Sequence, residues 1–167
     1  MTITREEFEA YVGAGKYLEK WQSIIEKKSR FAGFNIWAAI FGHGFFFYRK
    51  MYVWGMLLVA LGLILHVIFG ALYGAMFAVL ANNGWATLQD MQSHIWLVNG
   101  IALLFQMVIA GMFANVIYYE SACSAINALS EKKNDEFYLN YIKKRGGVSM
   151  LGILAGSMVN IFCYYFT

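Results

Sequence analysis

The sequence predicts an all-α membrane protein with three transmembrane helices, an N-terminal amphipathic helix and an interfacial or re-entrant segment. Three observations carry that expectation. Hydrophobic residues make up 60% of the 167 positions and charged residues only 14%, against about 25% charged in soluble domains. Residues 51–89 hold no Asp, Glu, Lys or Arg, a run long enough for a membrane helix. The cations cluster at the N-terminus and in a late segment, a pattern that orients membrane helices.

Residues 1–30 form the first unit. Thr4 and Glu7 fit a capping box. Phe8, Tyr11, Leu18, Trp21 and Ile25 recur at helical spacing. One amphipathic helix over residues 4–28 follows, lying on its own protein, on lipid headgroups or on a partner. The stretch TITREEFEAYVGAGK has early acids and no compact apolar core, so it is not expected to be a signal peptide. Insertion through an internal helix is expected instead.

Residues 31–50 form the second unit, around FNIWAAIFGHGFFFYRKMY. Proline is absent from the chain, so a helix break here must come from Gly42-His43-Gly44. Phe31, Phe34, Trp37, Phe41 and Phe45 can share one helical face. An interfacial helix followed by a turn avoids leaving backbone unsatisfied at membrane depth.

Residues 51–167 are expected to form a three-span membrane domain, with spans at about 53–80, 95–119 and 148–166. Residues 81–94 make a loop without Lys or Arg. Residues 120–147 make a basic loop that holds Lys132, Lys133, Lys143, Lys144 and Arg145. Within it DEFYLNYIKKR reads as a short helix stopped by Gly146 and Gly147. Positive-inside reasoning places the N-terminus and the basic loop in the cytoplasm and the C-terminus outside. Arg49 and Lys50 join the cytoplasmic set only if residues 31–48 dip and return.

The box FN, Ala38, Phe41, Gly42 and YRKMY resembles one found in a widespread bacterial family of small, uncharacterised multi-pass inner-membrane proteins. Members commonly read like FNWAAFFFGPFWFLYRKMY. Asn115 with Tyr118, and Gly146 to Ser149, are similar to later features of that family. Ile36 stands where the family usually has Trp, and His43 where it usually has Pro. The resemblance implies a bacterial inner (cytoplasmic) membrane location and no activity.

The candidate sites each have a plain structural alternative. Asn35, His43, Arg49 and Lys50 suit an anionic lipid headgroup at the interface, or simple anchoring of the topology. His66, Asn99, Gln106 and Asn160 lie within the spans, where polar groups mark a solute path or an interhelical hydrogen bond. The spans hold no Asp, Glu, Lys or Arg, which weighs against proton-coupled transport. Gly70 and Gly74, and likewise Gly152 and Gly156, make small-residue ridges for close packing within the bundle or against another membrane protein.

No HxxxH, HExxH or CxxC pattern occurs, and the two cysteines are far apart. No metal, cofactor or catalytic residue is therefore expected. The basic residues form no large face for nucleic acid. The expected function is a non-enzymatic integral membrane protein that binds another membrane protein, as an accessory subunit or as an immunity-type factor against a membrane-active toxin. A second copy of the chain is the other protein partner considered. The alternative is an oligomeric transport or lipid-handling protein, with an anionic lipid as ligand.

Overall fold

In the computed structural model, residues 3–13, 16–26 and 29–166 are described, with the side chains of residues 16, 88 and 160–166 outside the description. The described residues contain helices and turns and no strand. Two helices dominate, α5 (Tyr52–Asn82) and α6 (Leu88–Asn127). Both are long and apolar enough to cross a membrane. They pack as an antiparallel hairpin, joined by the turn around Asn83 and Gly84. Thr87 and Asp90 form a capping box that starts α6.

The 40 residues of α6 rise ~60 Å. That is about twice a ~30 Å hydrocarbon core. The helix therefore has a second role. The expected end of this span at 119 is only a change in composition, because the helix runs on to Asn127. Tyr118, Ala122 and Ile126 stay buried on the continuing face. They form the floor of a head domain at one end of the hairpin.

The expected helix over residues 4–28 is two helices, α1 (Arg5–Val12) and α2 (Lys16–Ile25). Gly13 ends the first at φ 88°, a left-handed conformation that favours glycine. Both helices pack on α6. The Trp21 ring is fully buried between Phe8, Tyr17, Tyr118 and Tyr119. Lipid-facing amphipathicity is thus not what the Phe8–Tyr11–Trp21 stripe encodes. It encodes the core of the head.

Residues 31–50 contain two short helices, α3 (Ile36–Phe41) and α4 (His43–Tyr48). Asn35 caps α3. Gly42, at φ 52° and ψ −129°, makes the sharp turn between them. That turn splits the expected aromatic face. Trp37 and Phe41 stay exposed, while Phe45 turns inward and is buried. The segment starts beside Asn115 and ends beside Tyr118, one turn of α6 apart. Both of its ends therefore lie at one level of the hairpin.

Two further helices complete the fold, α7 (Tyr138–Arg145) and α8 (Met150–Phe166). α7 packs on α1. α8 has 17 residues and rises ~26 Å. It packs along α4, where Gly152 lies against the Phe47 carbonyl and Gly156 against Gly44. The ridge on α5 behaves differently. A Cβ added at Gly70 or Gly74 would meet nothing within 4 Å. Those two glycines pack against no other helix among the described residues.

This contrast is measurable. Gly152→Ala drives a methyl group into backbone and is expected to cost about 1–3 kcal/mol, the usual range for overpacking. Gly70→Ala is expected to be neutral or slightly stabilising, because alanine favours helix. Thermal unfolding of the two variants in one detergent makes the comparison.

Candidate functional site

A buried, hydrogen-bonded pair of asparagines joins α3 to α6. Asn115 lies in the last third of α6 and is fully buried, and Asn35 is 1% exposed. Asn35 Nδ2 donates to Asn115 Oδ1 at 2.8 Å. Asn115 Nδ2 donates to the carbonyls of Ala32 and Gly33, both at 3.0 Å. Asn35 Oδ1 accepts from the Ala38 N–H at 3.1 Å, which caps α3. The Asn35 N–H donates to the Gly111 carbonyl at 2.8 Å. The Trp21 indole donates to the Asn115 carbonyl at 3.0 Å. Both amides are satisfied, as buried polar groups need to be. Asn35 is thereby a structural clasp.

Arg49 and Lys50 are held by the protein. The Arg49 guanidinium sits 4.8 Å from the Tyr17 ring, 5.1 Å from Tyr118 and 5.6 Å from Tyr48. Its Nη1 donates to the Tyr118 hydroxyl at 3.3 Å. Such a cage stabilises a cation that is partly removed from water. Lys50 adopts φ 59°, which costs a non-glycine residue about 1–2 kcal/mol. That conformation lets its ammonium donate to the carbonyls of Lys144 at 2.9 Å and Gly146 at 2.7 Å. It closes the end of α7, where free carbonyls and the helix dipole favour a cation.

His43 is buried between α4 and α8, with its ring edge-on to Phe47. Burial lowers its pKa, and the Gly156 backbone opposes this in part. Its Nε2 has no hydrogen-bond partner among the described residues. The four interface candidates each have different partners: Asn35 bonds to Asn115, Arg49 to Tyr118 and Lys50 to the end of α7, while His43 packs on Phe47.

Of the polar residues within the two long helices, Gln106 and His66 both lie at Gly62, and Asn99 lies apart from them. Gln106 Nε2 donates to the Leu58 carbonyl at 3.0 Å and fills the space that Gly62 leaves. His66 Nδ1 lies 2.9 Å from the Gly62 carbonyl of its own helix. Asn99 is exposed. The side chain of Asn160 lies outside the described residues, as does that of Cys163. Gln106 thus makes an interhelical hydrogen bond.

Glu7 ties α1 to the segment around α7 and is 3% exposed. Its carboxylate accepts from the Thr4 N–H at 2.6 Å and from the Tyr138 hydroxyl at 2.8 Å, and pairs with Lys133 at 3.1 Å. Burial pushes the carboxyl pKa up. The bonds from Thr4, Tyr138 and Lys133 outweigh it, so the net shift is downward. Sequence reading identified Glu7 as a cap and missed this pairing, because Lys133 and Tyr138 are more than 120 positions away.

Two grooves lie along one face of the α5–α6 hairpin. The larger, about 620 Å³, is at the head end. It is lined by Lys50, Tyr52, Trp54, Glu120, Ser121, Ser124 and Arg145, among others. The smaller, about 330 Å³, is lined by Phe46, Trp54, Leu57, Leu58, Leu61, Ile109, Ala110, Phe113 and Ile117. Sequence reading found neither. The spacing of Phe113, Ile117, Glu120, Ser121 and Ser124 on one helical face was the available signal.

Among known families, the one described as "Protein of unknown function (DUF2628)" matches residues 5–123. That is more than half of the chain, and the chain belongs to this family. The matched range includes Asn35, Arg49, Asn115 and Tyr118. No curated protein and no solved structure matches.

Asn115→Ala leaves the Ala32 and Gly33 carbonyls and the Asn35 amide without their partner. At about 1–3 kcal/mol for an unsatisfied buried group, a loss of at least ~2 kcal/mol is expected. Asn99→Ala, at an exposed position, is the control for the same unfolding measurement. For Glu7 the folded pKa lies below the ordinary 4.5. Its contribution is complete above that value and is lost as pH falls through the depressed folded value. Acid unfolding of the wild type should therefore show a carboxyl transition below about pH 4.5 that Glu7→Gln lacks, with the variant less stable at pH 7.

Proposed function

Starting from membership of a family with no assigned activity, we propose that the protein is a non-enzymatic integral membrane protein that binds a second membrane protein as an accessory subunit. The α5–α6 hairpin crosses the bilayer, and α8 contributes a third, shorter crossing. The α3–α4 hairpin dips into the leaflet on the side of the head and returns. Two features support the crossing. Only 17% and 28% of the most apolar windows of α5 and α6 are buried within the chain. The apolar residues Ile36, Trp37, Ile40 and Phe41 on α3 are all exposed as well.

The topology follows from the head. Arg49, Lys50, Lys133 and Arg145 all gather at one end of the hairpin, as the bonds of Lys50 and Glu7 require. The turn around residues 83–87 is at the other end. The positive-inside rule then puts the head in the cytoplasm and that turn outside a bacterial inner membrane.

The observation that carries partner binding is the open ridge on α5. Gly152 and Gly156 are closed by α4, while Gly70 and Gly74 are open. Small residues at i and i+4 let two backbones approach in lipid, where apolar burial gives no driving force between helices. The occupant is a transmembrane helix of another protein. An immunity-type role against a membrane-active toxin is a narrower form of the same reading.

Affinity purification of the full chain in a mild detergent should recover a stoichiometric membrane protein. Gly70→Leu with Gly74→Leu should lose that partner and keep the helical content and melting temperature. Recovery of the chain alone, or a partner indifferent to both substitutions, would sink the reading. Topology is read separately, since a single cysteine at Asp90 should label from outside in intact cells.

A further inference from the structure

The two grooves share Trp54, and they differ in chemistry. On α6, Ile109, Phe113 and Ile117 are followed at spacings of three and four by Glu120, Ser124 and Ala128. On α5, Trp54 is followed by Leu57, Leu58 and Leu61. These spacings keep each set on one helical face. The grooves therefore adjoin at Trp54 and line up as a channel along the hairpin, polar at the head end and apolar toward the middle of the helices. Trp54 is at the change, where an indole is favoured between headgroups and acyl chains.

We propose that this channel is a binding site for one membrane phospholipid, with its phosphodiester at the head end and an acyl chain along the apolar part. Lys50 and Arg145 carry two positive charges into the polar end against one carboxylate, Glu120. The balance of one positive charge matches a phosphodiester with a single negative charge and disfavours a phosphomonoester. Ser121 and Ser124 supply hydroxyl donors beside it. Two of the three Lys50 donors are held by the Lys144 and Gly146 carbonyls, which fixes the ammonium in place and leaves one donor for the ligand. Arg145 is exposed, and its one hydrogen bond among the described residues is a long one, 3.5 Å, to the Ala125 carbonyl. It is free to pair with a phosphate in the bidentate geometry that guanidinium favours. The apolar end has no charged lining residue. The volumes, about 620 and 330 Å³, fall in the range of small-molecule sites. An inorganic phosphate would use the first groove only.

The site rests on the reading that the hairpin crosses the bilayer, and the test separates the two. The full chain is extracted in a mild detergent and washed with a delipidating one. Native mass spectrometry then follows retained lipid and rebinding of phosphatidylglycerol. One phospholipid per chain is expected. Arg145→Ala should lower retention about fivefold, the equivalent of one cation at a lipid surface. Ser124→Trp, at an exposed position that fills the groove, should lower it at least as much. Inorganic phosphate and glycerophosphoglycerol, which lack acyl chains, should compete poorly. Retention unchanged in both variants, no retained lipid, or equal competition by either soluble probe would overturn the site. Cysteine labelling at Asp90 reports the crossing by itself. Labelling from outside together with unchanged retention refutes the lipid site alone, while labelling only from the cytoplasmic side refutes the crossing as oriented here, with the head inside, and the inner-leaflet site with it.

Discussion

The hydrogen bond between Asn35 and Asn115 is the contact on which the other parts of the structure depend. It lies where four segments meet: α6, the chain after α2, the start of α3, and the Trp21 ring of α2. A buried amide left unpaired costs about 1–3 kcal/mol, so each asparagine fixes the other. Asn115 also holds the Ala32 and Gly33 carbonyls, which would otherwise be unpaired in an apolar place. With Asn35 fixed, α3 must start at this level. Gly42 then turns the chain back, and Arg49 reaches Tyr118 one turn further along α6.

That constraint assigns a structural role to the cations that follow. Arg49 enters a cage of tyrosines, and Lys50 accepts a left-handed backbone to close α7. Both could have been lipid anchors on composition alone. Their partners, Tyr17, Tyr118, Lys144 and Gly146, come from parts of the chain far apart in sequence. Arg145 is an accessible cation at this end, and it borders the groove. The polar chemistry of the head is thus divided between groups that hold the fold and a smaller set open to a ligand.

The long α6 helix explains why the head and the hairpin form one unit. Its first part pairs with α5 through Gln106 and the space at Gly62. Its last turns provide Tyr118, Ala122 and Ile126 to the head core. The glycines show the same division. Gly152 and Gly156 allow α8 to approach α4, and Gly62 admits a side chain. Gly70 and Gly74 face open space, so a shared small-residue pattern serves different ends on different helices.

Residue pattern alone determined the all-α class, the two long apolar helices, the cap at Thr4, the break at Gly42 and the short helix ended by Gly146. Each depends on local spacing and backbone preference, which a linear sequence records. The family box was legible for the same reason, because its spacing is local. The pairing of Asn35 with Asn115, the Glu7–Lys133 bridge, the cage around Arg49 and the channel at Trp54 were decided only by tertiary structure. Each joins residues far apart in the chain, from 32 positions for Tyr17 and Arg49 to 126 for Glu7 and Lys133, and no periodicity links them. The end of α6 belongs with this second group. Polar residues after 119 signal a departure from the apolar region, while burial of Tyr118, Ala122 and Ile126 against the N-terminal helices keeps the backbone helical to Asn127.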